Sequence, residues 1–535
     1  MLNEYQKSRR TFIKTASFAL SAGVVTSGSG LSSIATSLNT TISGQPQLPH
    51  GIQFGDVLSD RAIVWSRVDR PGRMVVEYSF NPDFKDSELI QGPLASENSD
   101  YTARIDLTGL PSGQDVFVKV TFQDINNHQA VSKASFGHFR TAPDDKANIR
   151  FLWSGDTCGQ GWGINPDMGG MRIYEAMRLT DPDFFIHCGD SIYADSPIQE
   201  TQIVYETGEV WRNIVTPEVS KVAETLDEFR GRYKYNLLDH NLRRFNAEVP
   251  TIWLWDDHEV TNNWSPSKNL ERDARYTEKN IADLVSFGTI AALEYAPIRY
   301  HQANESQRIY RKLPHGPLLE IFALDMRSYR GANSYNRQVH PSLDTAYLGR
   351  EQLNWLKAGL KNSKAIWKVI AANMPIGLQS GDGTDQLNRP QFESLANGDG
   401  PVLGREFEIA DLLAFVKQEK ITNMVWFSAD VHYCAAHYYD PDKARFKNFE
   451  PFWEFVSGPL NAGSFSPHEL DDTFGPQLIF QKASPSPNLP PLSPLSGLQF
   501  FGQVDIDSGS LVMTVALKDI DGDTLFTQEI YPSIV

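Results

Sequence analysis

Two hydrophobic patterns divide the chain. From Gln45 to Pro143 the apolar residues come in short stretches, "GIQFGDVLSDRAIVWSRV", "GRMVVEYSF", "TARIDLTGLPSGQDVFVKVTF" and "KASFGHFRT", separated by Gly, Pro and Asp turns. Strands at this spacing with no helix between them predict a small antiparallel β-sandwich. The polar stretch "TAPDDKAN" then serves as a linker. From Ile149 onward apolar strands alternate with long polar or helical stretches. Five runs stand out: "IRFLWSGDTC", "DFFIHCGDSIY", "VPTIWLWDDHEVTNN", "WKVIAANMP" and "ITNMVWFSADVH". Runs so continuously apolar suit a sheet covered on both faces, so the larger region is predicted to be a layered α/β fold. There is no internal repeat, and the only biased segment, "SPSPNLPPLSP" from Ser484 to Pro494, predicts an extended loop.

The ends of those runs carry the chemistry. In layered α/β folds the crevice outside the carboxyl ends of the strands is where ligands bind. Asp156, Cys158, Asp190, Tyr193, Asp257, His258, Asp430 and His432 are therefore predicted to converge on one site from distant parts of the chain. Taken singly, each has a plainer role. An Asp after a strand often caps the next helix. Cys188 and His187, inside a strand, are predicted to be packing residues, and a Tyr beside a strand commonly packs. D-x-C, G-D-x-x-Y, D-D-H-E and D-x-H at four strand tips together point to a metal site, because buried carboxylates need a cation.

Composition narrows the partners. The chain has 535 residues, 41% hydrophobic and 11% aromatic, and reads as globular. A formal net charge of -17 argues against a broad nucleic-acid or anionic-membrane footprint, so positive charge for an anionic substrate must be local. Bound cations provide it. The three cysteines, Cys158, Cys188 and Cys434, make a poor disulfide framework. At the N-terminus "SRRTFIK", Ser8 to Lys14, is followed by the weakly apolar "TASFALSAGVVTSGSG". This resembles a twin-arginine export signal, assigned to residues 1–44, and its apolar part is too short and too polar for a stable membrane anchor.

The order of these motifs resembles the calcineurin-like metallophosphoesterases. The variant "GDTC", "GDSIY", "WDDHEVTNNW", "LDMRSYR", "ADVH" and "EFVSGPLNAG" is similar to the PhoD-like alkaline phosphatase family, as is the N-terminal β segment. One departure is Ala429, where the family more often has Gly. The resemblance implies a fibronectin-III-like β-sandwich over residues 45–143, then a four-layer αββα metallophosphoesterase sandwich over 149–535. It also implies one ferric and two calcium ions: Cys158, Asp190, Tyr193 and His432 on iron, with Asp190 bridging to calcium and Asp156, Asp257 and Asp430 as calcium ligands. Asp256 and Asn262 compete with Asp257 for its role. Thiolate, imidazole and phenolate suit a transition metal, and carboxylates suit calcium.

His258 is then the donor to a phosphoryl oxygen or leaving group. Asn262 and Asn263 contact phosphate or cap their turn, and Arg327 reaches an anionic substrate, whereas Arg330 is expected in surface or interdomain pairing. The implied activity is an exported, periplasmic or secreted phosphatase acting on small phosphate monoesters, with diesters open. A phospholipase-D-like diesterase of the same fold, a surface-binding protein built on the β-sandwich, and a calcium-only structural site are the alternatives. The insert "SPIQETQIVYETGEVWRNIVTPEVSKVAETLDEF" and the Pro-rich segment near Ser484 are predicted lids.

Overall fold

The structure is a computed structural model and describes residues 44–300 and 307–533. The proposed signal segment, apart from Gly44, lies outside the described residues. The apolar runs from Ile149 onward form the middle of two large sheets, and their period-2 alternation explains why they are apolar throughout. In Ile149–Ser154, residues Ile149, Phe151 and Trp153 join a core shared by both sheets, while Leu152 faces the opposite way into a helix-covered core. Phe184, Ile186 and Cys188 share the first core, and Phe185 the second. On the facing sheet Val369, Ala371, Val425 and Phe427 complete the central core, whereas Ile370 and Trp426 pack outward with Leu356, Leu360 and Leu413 of helices Arg350–Asn362 and Glu406–Gln418. Two sheets face each other with helices outside each, which is the four-layer α/β architecture expected.

Parallel pairing runs through the centre of both sheets. Ile149–Ser154 pairs with Phe184–Cys188, and Phe184–Cys188 with Thr251–Leu254. Leu319–Ala323, Trp367–Ala371, Met424–Ser428 and Phe452–Val456 form the parallel set of the other sheet. The carboxyl ends of these strands therefore lie along one edge of the sandwich, where the loops carrying Asp156, Asp190, Asp256, Asp257, Asn373 and Asp430 begin.

The N-terminal strands do not stand apart. Gly72–Ser79, Glu88–Ala95, Asp115–Asp124 and Ser135–Arg140 form a four-stranded sheet. It packs through Val76, Val118 and Phe122 onto Ile52–Gly55, Arg61–Arg67 and Thr102–Thr108. Those three strands are also the end of the nine-stranded sheet, joined through Gly55 paired with Thr251. A Cβ at Gly55 would stand 2.1 Å from the Pro297 carbonyl oxygen, so the junction requires glycine. Arg104 reaches across to the carboxyl end of helix Ile281–Tyr295. Its guanidinium donates to the carbonyls of Leu293, Glu294 (2.9 Å), Ala296 (2.8 Å) and Ile298 (3.0 Å), satisfying acceptors that a helix end leaves unpaired. Among the described residues no helix is long and apolar enough to cross a membrane.

Candidate metal centre

Six of the seven predicted metal ligands meet at one place, together with Asp256. The carboxylate and imidazole atoms form three overlapping groups: Asp156, Asp190 and His432; Asp190, Asp257 and His258; and Asp256, Asp257 and Asp430. Asp190 belongs to two of them, and so does Asp257. Tyr193 joins through its hydroxyl, 2.8 Å from His432 Nε2. The backbone that presents these groups is unusual, because Asp156, Asp190, Asp430 and His432 all have positive φ, between +53° and +70°. Asp and His enter that conformation more readily than most side chains, yet such residues cost about 1–3 kcal/mol each and persist only where the surroundings impose them. Ala429 is spared, since the left-handed turn falls on Asp430.

Close packing imposes the conformation. Gly189 (φ +107°) lets the backbone pass Asp256, whose Cβ would lie 2.6 Å from any added Cβ. Gly458 has the same function beneath Asp156: a Cβ there would stand 2.1 Å from Asp156 Oδ2. Glu259, fully buried, accepts from the backbone N–H groups of Asp190 (3.2 Å), Ser191 (2.6 Å) and Asp256 (2.8 Å), tying the second and third strand tips together.

Electrostatics indicates what the cluster can hold. Asp156, Asp190, Asp256 and Asp257 are 1–3% exposed. Burial, then repulsion from neighbouring carboxylates, pushes Asp190 far above the usual carboxylate range, and Asp156 and Asp430 are raised in the same way. Burial also lifts Asp256 to about 7, even though Arg327 and Asn373 Nδ2 (2.6 Å) bind it. Asp156 Oδ1 and Oδ2, Asp256 Oδ2 and Asp257 Oδ1 are buried with no hydrogen-bond partner among the described residues. Oxygens in that condition fit ligation of cations. His432 fits as well. Its Nδ1–H donates to the Gly463 carbonyl, and burial lowers its pKa to about 3, so the ring is neutral with the Nε2 lone pair toward Tyr193 and Asp156.

Cys158 is the predicted ligand that the structure does not bring in. Its Sγ lies 3.5 Å from Met171 Sδ and 4.0 Å from Asn461 Nδ2, in the helix-side apolar core, and burial raises the thiol pKa. Cys188 and His187 are buried inside their strand as expected. Arg327 does not face outward to a substrate. It is 1% exposed, bidentate to Glu393 (2.6 and 2.9 Å) and bound to Asp256, with Nη2 3.8 Å from Asp257 and 3.9 Å from Asp430. Arg330 is a correction: it is not at the surface but 3% exposed, bonded to Asn333 and the Glu393 carbonyl and lying over the Tyr347 ring.

His258 and Asn262 lie at the rim. His258 Nδ1 meets Asp195 Oδ1 at 2.6 Å, and Asp195 Oδ2 accepts from the Asn262 backbone at 3.0 Å. The Asn262 side chain is exposed, whereas Asn263 is tied to Asp382 at 3.2 Å. The two expected lids touch each other. The insert forms a hairpin, Thr201–Ile203 with Val210–Arg212, and Glu206 accepts from Ser493 N (2.8 Å) and Oγ (3.1 Å). Sequence reasoning missed Asp195, Glu259, Asn373 and Glu393. Two of these had a signal: Glu259 is the last residue of the D-D-H-E block, and Asn373 stands at the end of the fourth apolar run.

Burial alone would lower the His258 pKa, but Asp195 and Asp257 outweigh it and raise it to about 9. In metal-free protein the His258–Asp195 contact therefore contributes stability that is complete below pH about 6.5 and lost as pH rises through about 9. Asp195→Asn removes the largest raising influence. In chelator-treated protein, the NMR titration midpoint of His258 is expected near 9 in the wild type and lower in this variant. Equal midpoints would remove Asp195 from the account.

Comparison with known proteins agrees with this architecture. Residues 151–517 match the family model for the PhoD-like phosphatase, and residues 33–143 match that for the PhoD-like phosphatase, N-terminal domain. Alkaline phosphatase D of Bacillus subtilis (strain 168) is 25% identical over 448 residues, which is 79% of this chain and 71% of that protein. Among solved structures, the structure of PhoD superposes with a TM-score of 0.66 at 18% identity, covering 93% of this chain and 94% of the other. The purple acid phosphatase PPD1 from yellow lupin (Lupinus luteus) seeds gives 0.54 at 13%, covering 91% and 74%. These last two speak for the fold alone. With the family model spanning most of its length, the chain belongs to the PhoD-like phosphatase family and is a phosphoric ester hydrolase.

Proposed function

We propose that this phosphatase is metal-dependent, is exported through the twin-arginine route to the periplasm or beyond, and hydrolyses small phosphate monoesters, with diesters as a second class. The observation that carries the metal dependence is the set of buried, unpaired carboxylate oxygens on Asp156, Asp256 and Asp257. The donor sets differ across the cluster. Asp156, Asp190, Tyr193 and His432 combine phenol, imidazole and carboxylate, a set suited to one ferric ion. Asp256, Asp257 and Asp430 offer carboxylate oxygens only, which suits calcium, and Asp190 and Asp257, each shared between two of the groups, would help to hold the two calcium ions of this reading. The Cys158 thiol has no place in this assignment.

When bound, such ions supply Lewis acidity at phosphorus and lower the pKa of water. The residues of the chain do the rest. Arg327, held by Glu393, acts as a positioning residue that keeps Asp256 in place and offsets part of the negative charge. His258, with Nδ1 engaged by Asp195, turns Nε2 toward the cluster, 4.0 Å from Asp257 Oδ1. Hydrolysis forms a P–O bond from water, which gives up one proton to solvent, and breaks the P–O bond to the alcohol. The departing oxygen takes its proton from His258 Nε2, and Asp195 stabilises the protonated ring beforehand. Asn262, exposed beside it, would donate to a phosphoryl oxygen.

Four outcomes are expected. Protein purified without chelator should contain iron and calcium and hydrolyse nitrophenyl phosphate. Asp190→Asn should lose metal and turnover together, and Tyr193→Phe should shift or bleach a visible charge-transfer band. Elemental analysis and absorption spectra at matched iron content decide this, and a Phe variant with an unchanged spectrum and turnover removes Tyr193 as a ligand. For export, changing Arg9 and Arg10 together to Lys should leave folded precursor in the cytoplasm, read by cell fractionation. Normal export of that variant would sink the twin-arginine assignment.

A further inference from the structure

One loop outside the cluster holds the imidazole of His432. The Nδ1–H donates to the Gly463 carbonyl, and the Phe465 ring centre lies 4.7 Å from that of His432. This contact leaves Nε2 turned to the Tyr193 hydroxyl, 2.8 Å away. A histidine that ligates through one nitrogen takes its tautomer and its direction from the acceptor at the other. The position of the Gly463 carbonyl is therefore a condition of the site. Residues 461–465 lie outside every helix and strand, so regular structure does not fix it.

Two other segments fix it. Gln160 Oε1 accepts from the Gly463 N–H at 3.0 Å. On the Pro-rich segment, the Leu492 carbonyl accepts from the Ser464 N–H at 2.9 Å, and the Leu492 N–H donates to the Ser464 carbonyl at 3.0 Å. The Ser464 N–H and the Gly463 carbonyl belong to one planar peptide group, so Leu492 pins the far edge of the plane that receives His432. A Cβ at Gly463 would stand 2.7 Å from Pro491 Cβ, so the Pro-rich segment packs directly on this loop. Gln160 has φ +53°, a conformation that a glutamine keeps only where its surroundings impose it. The Gln160 carbonyl accepts from Gln202 Nε2 of the hairpin at 3.3 Å. Both expected lids thus end on groups that hold His432. We propose that Gln160 is a positioning residue for the metal centre: by fixing Gly463 it aims His432 Nε2, and the retention of iron depends on it. The inference rests on the reading of His432 as an iron ligand. Gln160 acts through Gly463 and has no part in the reaction itself.

The test is competition of the full-length, metal-loaded enzyme against an iron chelator, with iron and calcium followed by elemental analysis. Gln160→Met removes the acceptor at similar size and should release iron at about tenfold lower chelator concentration, the scale seen for groups that orient a ligating histidine. Its calcium content should stay that of the wild type, and so should the thermal midpoint of the metal-free protein to within a few degrees. Gln160→Glu keeps an acceptor for the Gly463 N–H and should retain iron as the wild type does. If Gln160→Met fails a circular-dichroism folding check, Gln160→Gly takes its place, because glycine suits the left-handed backbone there. Iron lost from His432→Ala but held normally by the folded Gln160 variants would overturn the proposal alone. A Glu variant as weak as the Met variant would overturn it too, and a joint fall of iron, calcium and the metal-free midpoint would reduce Gln160 to a structural role. A wild type that binds no iron would overturn the reading of His432 and the proposal with it.

Discussion

The structure depends on how carboxylates are tolerated in its interior. Asp156, Asp190, Asp256 and Asp257 come from three strand tips and lie almost fully out of water, close enough that ligand atoms within each group are less than 4.8 Å apart. Burying a single carboxylate costs several kcal/mol even after relaxation, and like charges at this distance add to the cost. Arg327 offsets only part of it, because Glu393 shares its guanidinium. Everything around the cluster holds these groups in place despite that repulsion. Glu259 fixes three backbone N–H groups, Gly189 and Gly458 allow close approach, and left-handed turns at Asp156, Asp190, Asp430 and His432 present the ligands.

The same constraint links fold to chemistry. Parallel strands in two facing sheets bring their carboxyl ends to one edge, so residues far apart in sequence meet without any one segment carrying the site. Helix Ile281–Tyr295 and the N-terminal strands contribute indirectly. Arg104 caps that helix, and Gly55 joins the N-terminal strands to the strand that leads into Asp256 and Asp257. A phosphate ester would meet a largely acidic set of side chains here, and bound cations would turn that set into an anion-binding centre.

Much of this was legible in the sequence. Continuous apolar runs marked strands covered on both faces, and the Asp and His residues at their ends were legible because a polar group there has few roles. What was not legible depends on pairing between distant segments. Glu393 lies in a polar stretch with no motif and Asp195 just beyond the G-D-x-x-Y motif, and only the fold brings them to Arg327 and His258. The side-chain direction of Cys158 was not readable either: its motif position suggested a ligand, whereas local packing turns Sγ to Met171. Arg327 and Arg330 resembled substrate and surface groups because their burial under the site is a property of the loop's path.

The most direct measurement follows unfolding midpoint and phosphatase turnover on one sample: as purified, after exhaustive chelation, and after cations are restored. If bound cations balance the buried carboxylates and drive the reaction, chelation lowers both quantities and restoration returns both. A chelated protein, confirmed metal-free, that keeps its midpoint and its turnover would contradict the account.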